Sequence, residues 1–164
     1  MRIRVITVSD RASRGEYEDL SGPEIVRIFA GAYPEAEIGR EVVPDEPDAL
    51  RAAFERAAAA DWIVTCGGTG PAPRDRTPEA TRAWMDRELP GIAEALRAAS
   101  LARTPFAALS RGVAGMRGAQ YIVNFPGSPD AARLCAGVLS PLLGHGLAMA
   151  RGGGHGNGAG SGGA

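Results

Sequence analysis

Three stretches of the 164-residue chain carry carboxylates, glycines and arginines at spacings suited to handling phosphates. The densest is Thr65-Cys66-Gly67-Gly68-Thr69-Gly70-Pro71-Ala72-Pro73-Arg74-Asp75-Arg76-Thr77-Pro78. Gly67, Gly68 and Gly70, flanking Thr69, lack the Cβ that would keep a phosphate off backbone N–H groups. A helix starting at Thr77-Pro78 would add positive potential to the same place. Pro71 and Pro73 stiffen the loop, as a loop that must present Asp75 at a fixed position requires. Asp75, between Arg74 and Arg76, is a carboxylate in a cationic setting and suits a Mg²⁺ ligand beside phosphates. The plainer reading makes the glycines an ordinary strand-to-helix turn, with Asp75 favoured only by the helix dipole.

Val43-Pro44-Asp45-Glu46-Pro47 is the second stretch. Asp45 is either a helix cap, with Asp48 three residues on, or a second carboxylate flanking the same metal–phosphate group as Asp75. The third is Asn124-Phe125-Pro126-Gly127-Ser128-Pro129, again an apolar run, a tight turn and a helix start. Leu109-Ser110-Arg111-Gly112 reads as a holder for an anionic head group or as a surface loop with Arg for solubility. Ser9 to Gly15 is a polar loop, and Glu16 to Asp19 reads as solvated. Several anion cradles in one small chain imply a ligand with several phosphates or a large polar surface. All 18 basic residues are Arg. This excludes a Walker-A lysine and Schiff-base or pyridoxal lysines, leaving Arg, backbone N–H groups, helix N-termini or a metal to hold anions.

These loops need strands and helices to aim them, and the pattern supplies both. Ile3 to Val8, Glu37 to Val43, Trp62 to Cys66, Phe106 to Leu109 and Gln120 to Asn124 read as short strands. Ser21-Gly22-Pro23-Glu24 has capping-box spacing, with Ile25, Ile28, Phe29 and Ala32 on one face behind it. Pro47 fits a first helical position, and Leu50, Ala53, Phe54 and Ala57 form the inward stripe. Thr77 and Pro78 read as cap and first helical residue. Ile92, Ala95, Leu96 and Ala99 follow the Pro90-Gly91 break. Ser128 caps the last helix, with Leu134, Cys135, Val138, Leu139 and Leu142 inward. Strands alternating with helices predict an α/β fold with a mostly parallel sheet, whose ligands bind off the strands' carboxyl ends. One domain is expected over residues 1–150, followed by a Gly-rich flexible tail over 151–164.

Eighteen basic against 19 acidic residues argue against a nonspecific nucleic-acid binder. No unbroken run of 18 apolar residues suggests a membrane span, and the N-terminus lacks signal-peptide features. Cys66 and Cys135 read as reduced, buried thiols of a cytoplasmic protein.

Taken together, Thr7 to Asp10, Val43 to Glu46, Thr65 to Gly70 with Pro73 to Thr81, Pro90-Gly91, Thr104 to Arg111 and Asn124 to Pro129 occur in an order that resembles the molybdopterin adenylyltransferases of molybdenum cofactor biosynthesis, the MogA/MoaB and gephyrin G-domain type. The resemblance covers about residues 2–150. It implies a three-layer α/β/α fold and a homotrimer, sometimes a hexamer. It implies Mg²⁺-dependent transfer of AMP from ATP to the terminal phosphate of molybdopterin, releasing pyrophosphate, with hand-over to a molybdotransferase. It assigns catalysis and metal binding to Asp45 and Asp75. The nucleotide falls to Gly67, Gly68, Thr69 and Gly70, and molybdopterin to Ser110, Arg111, Asn124, Pro126, Gly127 and Ser128. Cys66, Phe125 and Ala119 depart from the common pattern, and Ala119 removes one pterin hydrogen bond found in some relatives. Two other readings are a pterin-binding MoaB-like paralogue with little catalysis and a structural oligomerisation module.

Overall fold

The computed structural model describes residues 1–153. In chain order the elements are β1 (Arg2–Val8), α1 (Asp10–Ser13), α2 (Ser21–Ala32), β2 (Glu37–Val43), α3 (Pro47–Arg56), β3 (Trp62–Cys66), α4 (Thr77–Trp84), β4 (Arg87–Glu88), α5 (Pro90–Leu101), a 3₁₀ turn (Pro105–Leu109), β5 (Ala114–Arg117), β6 (Gln120–Phe125) and α6 (Pro129–Ala150). The sheet has six strands in the order β2-β1-β3-β6-β5-β4. Strands β2, β1, β3 and β6 are parallel neighbours, and β5 runs against both β6 and β4.

Alternation along the parallel strands divides the core into two layers. Ile3, Val5, Trp62, Val64, Tyr121 and Val123 face one way and pack with α2, α5 and α6 through Ile25, Phe29, Leu96, Cys135, Leu139 and Leu143. Ile6, Val8, Ile63 and Ile122 face the other way, onto α3 through Leu50, Ala53 and Phe54, with Trp84 of α4 against them. Strands buried on both faces must be apolar at nearly every position, so these β-branched runs are legible as strands before any register is known. The result is an α/β/α sandwich.

Several local expectations change. Phe106 to Leu109 is a 3₁₀ turn, not a strand: Pro105 opens it, Thr104 Oγ1 accepts from Phe106 N–H, and Phe106 is 77% exposed. Ser21 does not cap α2. The Asp19 carboxylate does, accepting from Ser21 and Gly22 N–H at 3.1 and 2.9 Å, so the Glu16–Asp19 segment is not wholly solvated. Its other oxygen accepts from Thr7 and Arg40. Ala32 and Ala95 face solvent. In α6 the stripe ends on buried Leu143, while Leu142 is exposed. Helix α6, 22 residues long, meets the length and composition of a membrane-crossing segment although the sequence has no unbroken apolar run. Its stripe of Ala132, Cys135, Ala136, Leu139 and Leu143 is closed against the sheet and α2. Of the expected tail, Arg151 pairs with Asp61; residues 154–164 lie outside the described ones.

Candidate functional site

The carboxyl ends of β1, β2, β3 and β6 lie side by side along one sheet edge. Strand β1 passes through Ser9 into α1, so the stretch from Ser9 to Gly15 is a capped helical turn and not wholly a loop, and the other three open into loops. The chain leaves β1 toward β2 on one side and reaches β3 on the other, so this edge contains a topological switch point, the usual place for a ligand in an open α/β sheet.

The loop after β3 is the most constrained. Gly67 has φ of 110° and Gly68 of 61°, conformations that L side chains rarely adopt, and a Cβ on Gly67 would strike the Val8 carbonyl. The next carbonyls are tied back into the protein. Gly68 O accepts from Thr77 N–H at 3.2 Å, Thr69 O from Arg111 N–H at 2.9 Å and Gly70 O from Arg111 Nε at 2.7 Å. In a trans peptide the N–H points opposite to the carbonyl of the same unit. The Thr69 and Gly70 N–H groups therefore face away from those donors, as an anion cradle needs.

Asp75 closes its own turn. Its N–H donates to Ala72 O, and its Oδ2 accepts from Ala72 N–H, both at 3.0 Å. That oxygen lies 2.8 Å from where a Cβ on Gly70 would stand, so the carboxylate flanks the glycine loop. Asp45 is held differently. It is 8% exposed, its N–H donates to Asp10 Oδ1 at 3.1 Å, and its Oδ1 accepts from Arg76 N–H at 3.0 Å. It does not cap α3 with its side chain; Glu46 occupies the cap position without a side-chain bond. Burial pushes the Asp45 pKa up, Asp75 and Asp10 nearby push the same way, and the Arg76 N–H and Arg74 oppose them. Asp45 lies behind Gly68: a Cβ there would strike Asp45 Oδ2.

The cationic setting expected around Asp75 is not built from Arg74. That guanidinium reaches Asp10 Oδ2 at 2.7 and 3.1 Å and lies 3.8 Å from Glu46, and its bond lowers the Asp10 pKa. Asp10 thus joins three loops, receiving the Asp45 N–H and the Arg74 side chain from its place after β1. A lone Asp after a strand gave no sign of this role. Arg111 also differs from a ligand-facing arginine. Its guanidinium donates to Gly70 O, to Asp75 O at 2.7 Å and to the Glu79 carboxylate, whose pKa it lowers. It clamps the glycine loop to the start of α4. Arg97, not singled out in the sequence, holds the facing wall in the same way, donating to Ser110 O and Gly112 O at 3.1 and 2.9 Å.

Asn124 is 4% exposed and internally satisfied: Nδ2 donates to Thr65 and Thr81 hydroxyls at 2.9 and 2.8 Å, and Oδ1 accepts from Val113 N–H. Ser128 caps α6 through Ala131 N–H. Gly127 comes within 3.2 Å of Gly67 Cα, measured from the position of an added Cβ, and its carbonyl accepts from Ser21 Oγ. Cys66 is fully buried; burial pushes its thiol up to about 12, and it donates to Pro126 O.

Two clefts flank the ridge formed by Gly68, Gly127 and Ser128. One, of about 440 Å³, is bounded by Thr69, Gly70, Asp75, Leu96, Phe106 and Ser110. The other, of about 400 Å³, is bounded by Ser9, Arg11, Tyr17, Ser21 and Gly67. The structure therefore brings Gly67, Gly68, Thr69, Gly70, Asp75, Ser110, Asn124, Pro126, Gly127 and Ser128 to one place. Asp45 stands just behind, and the Arg111 and Asn124 side chains serve as supports. Two adjoining clefts sharing a glycine ridge can hold two polar ligands, or two parts of one, with their phosphates at the ridge.

The chain is similar to known proteins along most of its length. The family described as "Probable molybdopterin binding domain" matches residues 4–145. A molybdopterin adenylyltransferase of Helicobacter pylori is 41% identical over 147 residues, 87% of this chain and 84% of that protein. The crystal structure of the molybdopterin biosynthesis enzyme MoaB of Thermus thermophilus is similar with a TM-score of 0.84 and 47% identity, covering 92% of this chain and 96% of that one. The tungsten cofactor synthesizing protein MoaB of Pyrococcus furiosus is similar at 0.81 and 35% identity, over 92% and 96% of the two chains.

Proposed function

The chain belongs to the molybdopterin-binding domain family, and on that premise we propose that it is a molybdopterin adenylyltransferase of molybdenum cofactor biosynthesis. An oxygen of the terminal phosphate of molybdopterin attacks the α-phosphorus of ATP. The bond from that phosphorus to the bridging oxygen of the β-phosphate breaks, and pyrophosphate leaves with the electron pair. The observation that carries this reading is the pair of clefts meeting at a glycine ridge beside two carboxylates. Joining two polyanions needs positioning and charge stabilisation more than a side-chain nucleophile, so a chain without Lys suffices.

In this reading the Gly67–Gly70 loop receives the ATP phosphates through the Thr69 and Gly70 N–H groups. Ser110, Pro126, Gly127 and Ser128 border the molybdopterin. Asn124 supports the pterin side through the wall it holds, and Arg111 acts through the glycine loop and Asp75 that it clamps. Asp45 and Asp75 fit a Mg²⁺ ion by the chemistry of their donors. Both offer hard carboxylate oxygens, and among the described residues no further His, Cys, Asp or Glu gathers with them into a metal cage. Mg²⁺ commonly takes one or two carboxylates and completes its shell with water and phosphate. When bound, the ion supplies charge neutralisation at the reacting phosphates. The Arg76 N–H orients Asp45 and the Ala72 N–H orients Asp75 for that purpose.

A homotrimer, or a hexamer built from it, would cover the exposed Phe106, Leu109 and Leu101. The two free buried thiols suit the cytoplasm, and the product would pass to a molybdotransferase. The test is incubation of the full chain with molybdopterin, ATP and Mg²⁺. Adenylylated pterin and pyrophosphate in equal amounts are expected. Pterin binding without AMP transfer replaces this reading with the pterin-binding paralogue, and absence of both overturns it. Light scattering giving a mass near the 16.9 kDa of one chain overturns the oligomer.

A further inference from the structure

Among the described residues, Thr77 is the one place where the structure leaves a buried polar side-chain atom without a partner. The sequence places this residue as the cap of α4. The structure puts Arg76 in the cap position, and no side chain caps the helix. Thr77 is fully buried, its N–H donates to Gly68 O, and its Oγ1 has no hydrogen-bond partner among the described residues. A hydroxyl in that state is costly, and a Val of the same shape would avoid the cost. The hydroxyl is also aimed. A Cβ on Gly68 would strike Thr77 Oγ1 and Asp45 Oδ2 together, so two oxygens converge on a recess that only glycine leaves open. Asp45 uses its other oxygen, Oδ1, for the Arg76 N–H. Within the same loop, Asp75 Oδ2 borders Gly70 two residues on.

We propose that Thr77 is a metal-positioning residue, whose hydroxyl joins Asp45 and Asp75 in the oxygen set that receives the divalent cation of a bound nucleotide. A neutral hydroxyl among carboxylates adds a hard oxygen without adding charge. The inference rests on the adenylyl-transfer reading above, and it explains why a helix start retains a hydroxyl that caps nothing.

Calorimetric titration of the full chain with ATP, once with Mg²⁺ and once with EDTA, gives the Mg²⁺-dependent gain in affinity. Thr77→Val should lower that gain about tenfold, the usual size for a lost bond to a charged group. Its ATP affinity in EDTA should stay unchanged, and its ligand-free Tm should be equal or higher. Thr77→Ser, which keeps the hydroxyl, should retain the gain. A full gain in Thr77→Val overturns the proposal, because a hydroxyl served only by water or packing would leave it intact. A clearly lower ligand-free Tm in Thr77→Val also overturns it, since the hydroxyl would then be engaged before any ligand arrives. A parent protein that shows no Mg²⁺-dependent gain overturns the metal part of the adenylyl-transfer reading along with it. A parent gain that Thr77→Val preserves overturns this inference alone.

Discussion

Asp45 and Asp75, the two carboxylates of the proposed site, are held in opposite ways. Asp45 is fixed by burial: it sits behind a glycine, takes a backbone N–H on one oxygen and leaves the other facing a recess. Asp75 is fixed by chain stiffness: it is half-buried, in a loop between prolines and a helix start, and it bonds its own turn. Burial raises the pKa of the first at a cost to the fold, whereas the second sits at the edge of the ligand cleft. Removing the charge of one should therefore alter stability and chemistry together, and removing that of the other should alter chemistry alone.

The largest effect is expected at Asp75. Asp75→Asn keeps an acceptor for the Ala72 N–H and removes the charge. Turnover should fall on the order of 10²-fold or more, about 3 kcal/mol of lost transition-state stabilisation. Molybdopterin affinity and Tm should change little. Single-turnover assays, pterin titration and a thermal melt on the same sample read all three. A normal rate with a lower Tm would reduce Asp75 to a helix-start residue and end the comparison. The Asp45→Asn/Asp75→Asn double variant should lose less than the two single losses combined if both act on one phosphate group.

Next in size is Arg111, which holds Asp75 from behind. Arg111→Met keeps the stem and removes the donors to Gly70 O and Asp75 O. Turnover should fall about tenfold through loss of positioning, with molybdopterin affinity preserved. Arg111→Lys restores a charge but not the planar fork that reaches two carbonyls and Glu79, so it should recover little. A large loss of pterin affinity with an unchanged maximal rate would instead make Arg111 a ligand contact.

Asp45 sharpens the contrast through stability. A carboxyl whose folded-state pKa is raised favours the fold most below its unfolded value of 3.8, and that contribution is lost as pH rises through the folded value. At neutral pH the ionised group thus weighs against the ligand-free fold. Asp45→Asn keeps the acceptor for Arg76 N–H and should raise the ligand-free Tm at pH 7 by on the order of 2 °C, while slowing turnover. Repeated at about pH 3, where the carboxyl is protonated in both states, the gain should vanish. A lower Tm at pH 7 would mean that burial is not what governs Asp45.

The same contrast explains what a linear sequence reveals. Glycines that need positive φ, prolines at first helical positions and apolar runs on doubly buried strands are local requirements. Gly67, Gly68, Pro47 and Ile3 to Val8 were therefore legible. So was the Leu50, Ala53, Phe54 stripe, because a helix repeats its inward face at fixed spacing. Strands β4 and β5 were not: β4 has two residues, both exposed, and β5 has four, three of them buried and the second a glycine, so both are too short to show a period. At Phe106 to Leu109 an apolar run suggested a strand, although the preceding Thr104-Pro105 carried a turn signal. Side-chain partners were the least legible part. A guanidinium reaches across loops, so adjacency in sequence placed Arg74 beside Asp75 when the fold places it on Asp10. The supporting roles of Asp10, Asp19 and Arg97 follow from the same long reach.

Arg74 provides the smallest and most pointed check on the two carboxylates. If it served Asp75, Arg74→Gln would copy part of the Asp75→Asn defect. In the structure it bonds Asp10, lowering that carboxyl's pKa, and both side chains are partly or largely exposed. An exposed pair contributes little, so turnover of Arg74→Gln should stay within about twofold of the parent. The expected change falls first on Asp10, with Asp45, which Arg74 also holds down, moving further up. The folded pKa of Asp10 is depressed, so the support it lends is present above its unfolded value and is lost as pH falls through the folded one. Without Arg74 its titration moves back up toward the ordinary Asp range, and acid unfolding begins at slightly higher pH. Carboxyl-carbon NMR titration of the parent and Arg74→Gln reads this directly. A shift at Asp75 with Asp10 unmoved would return Arg74 to the position its neighbours in sequence suggest, and Asp75 would then be held by charge as well as by its loop.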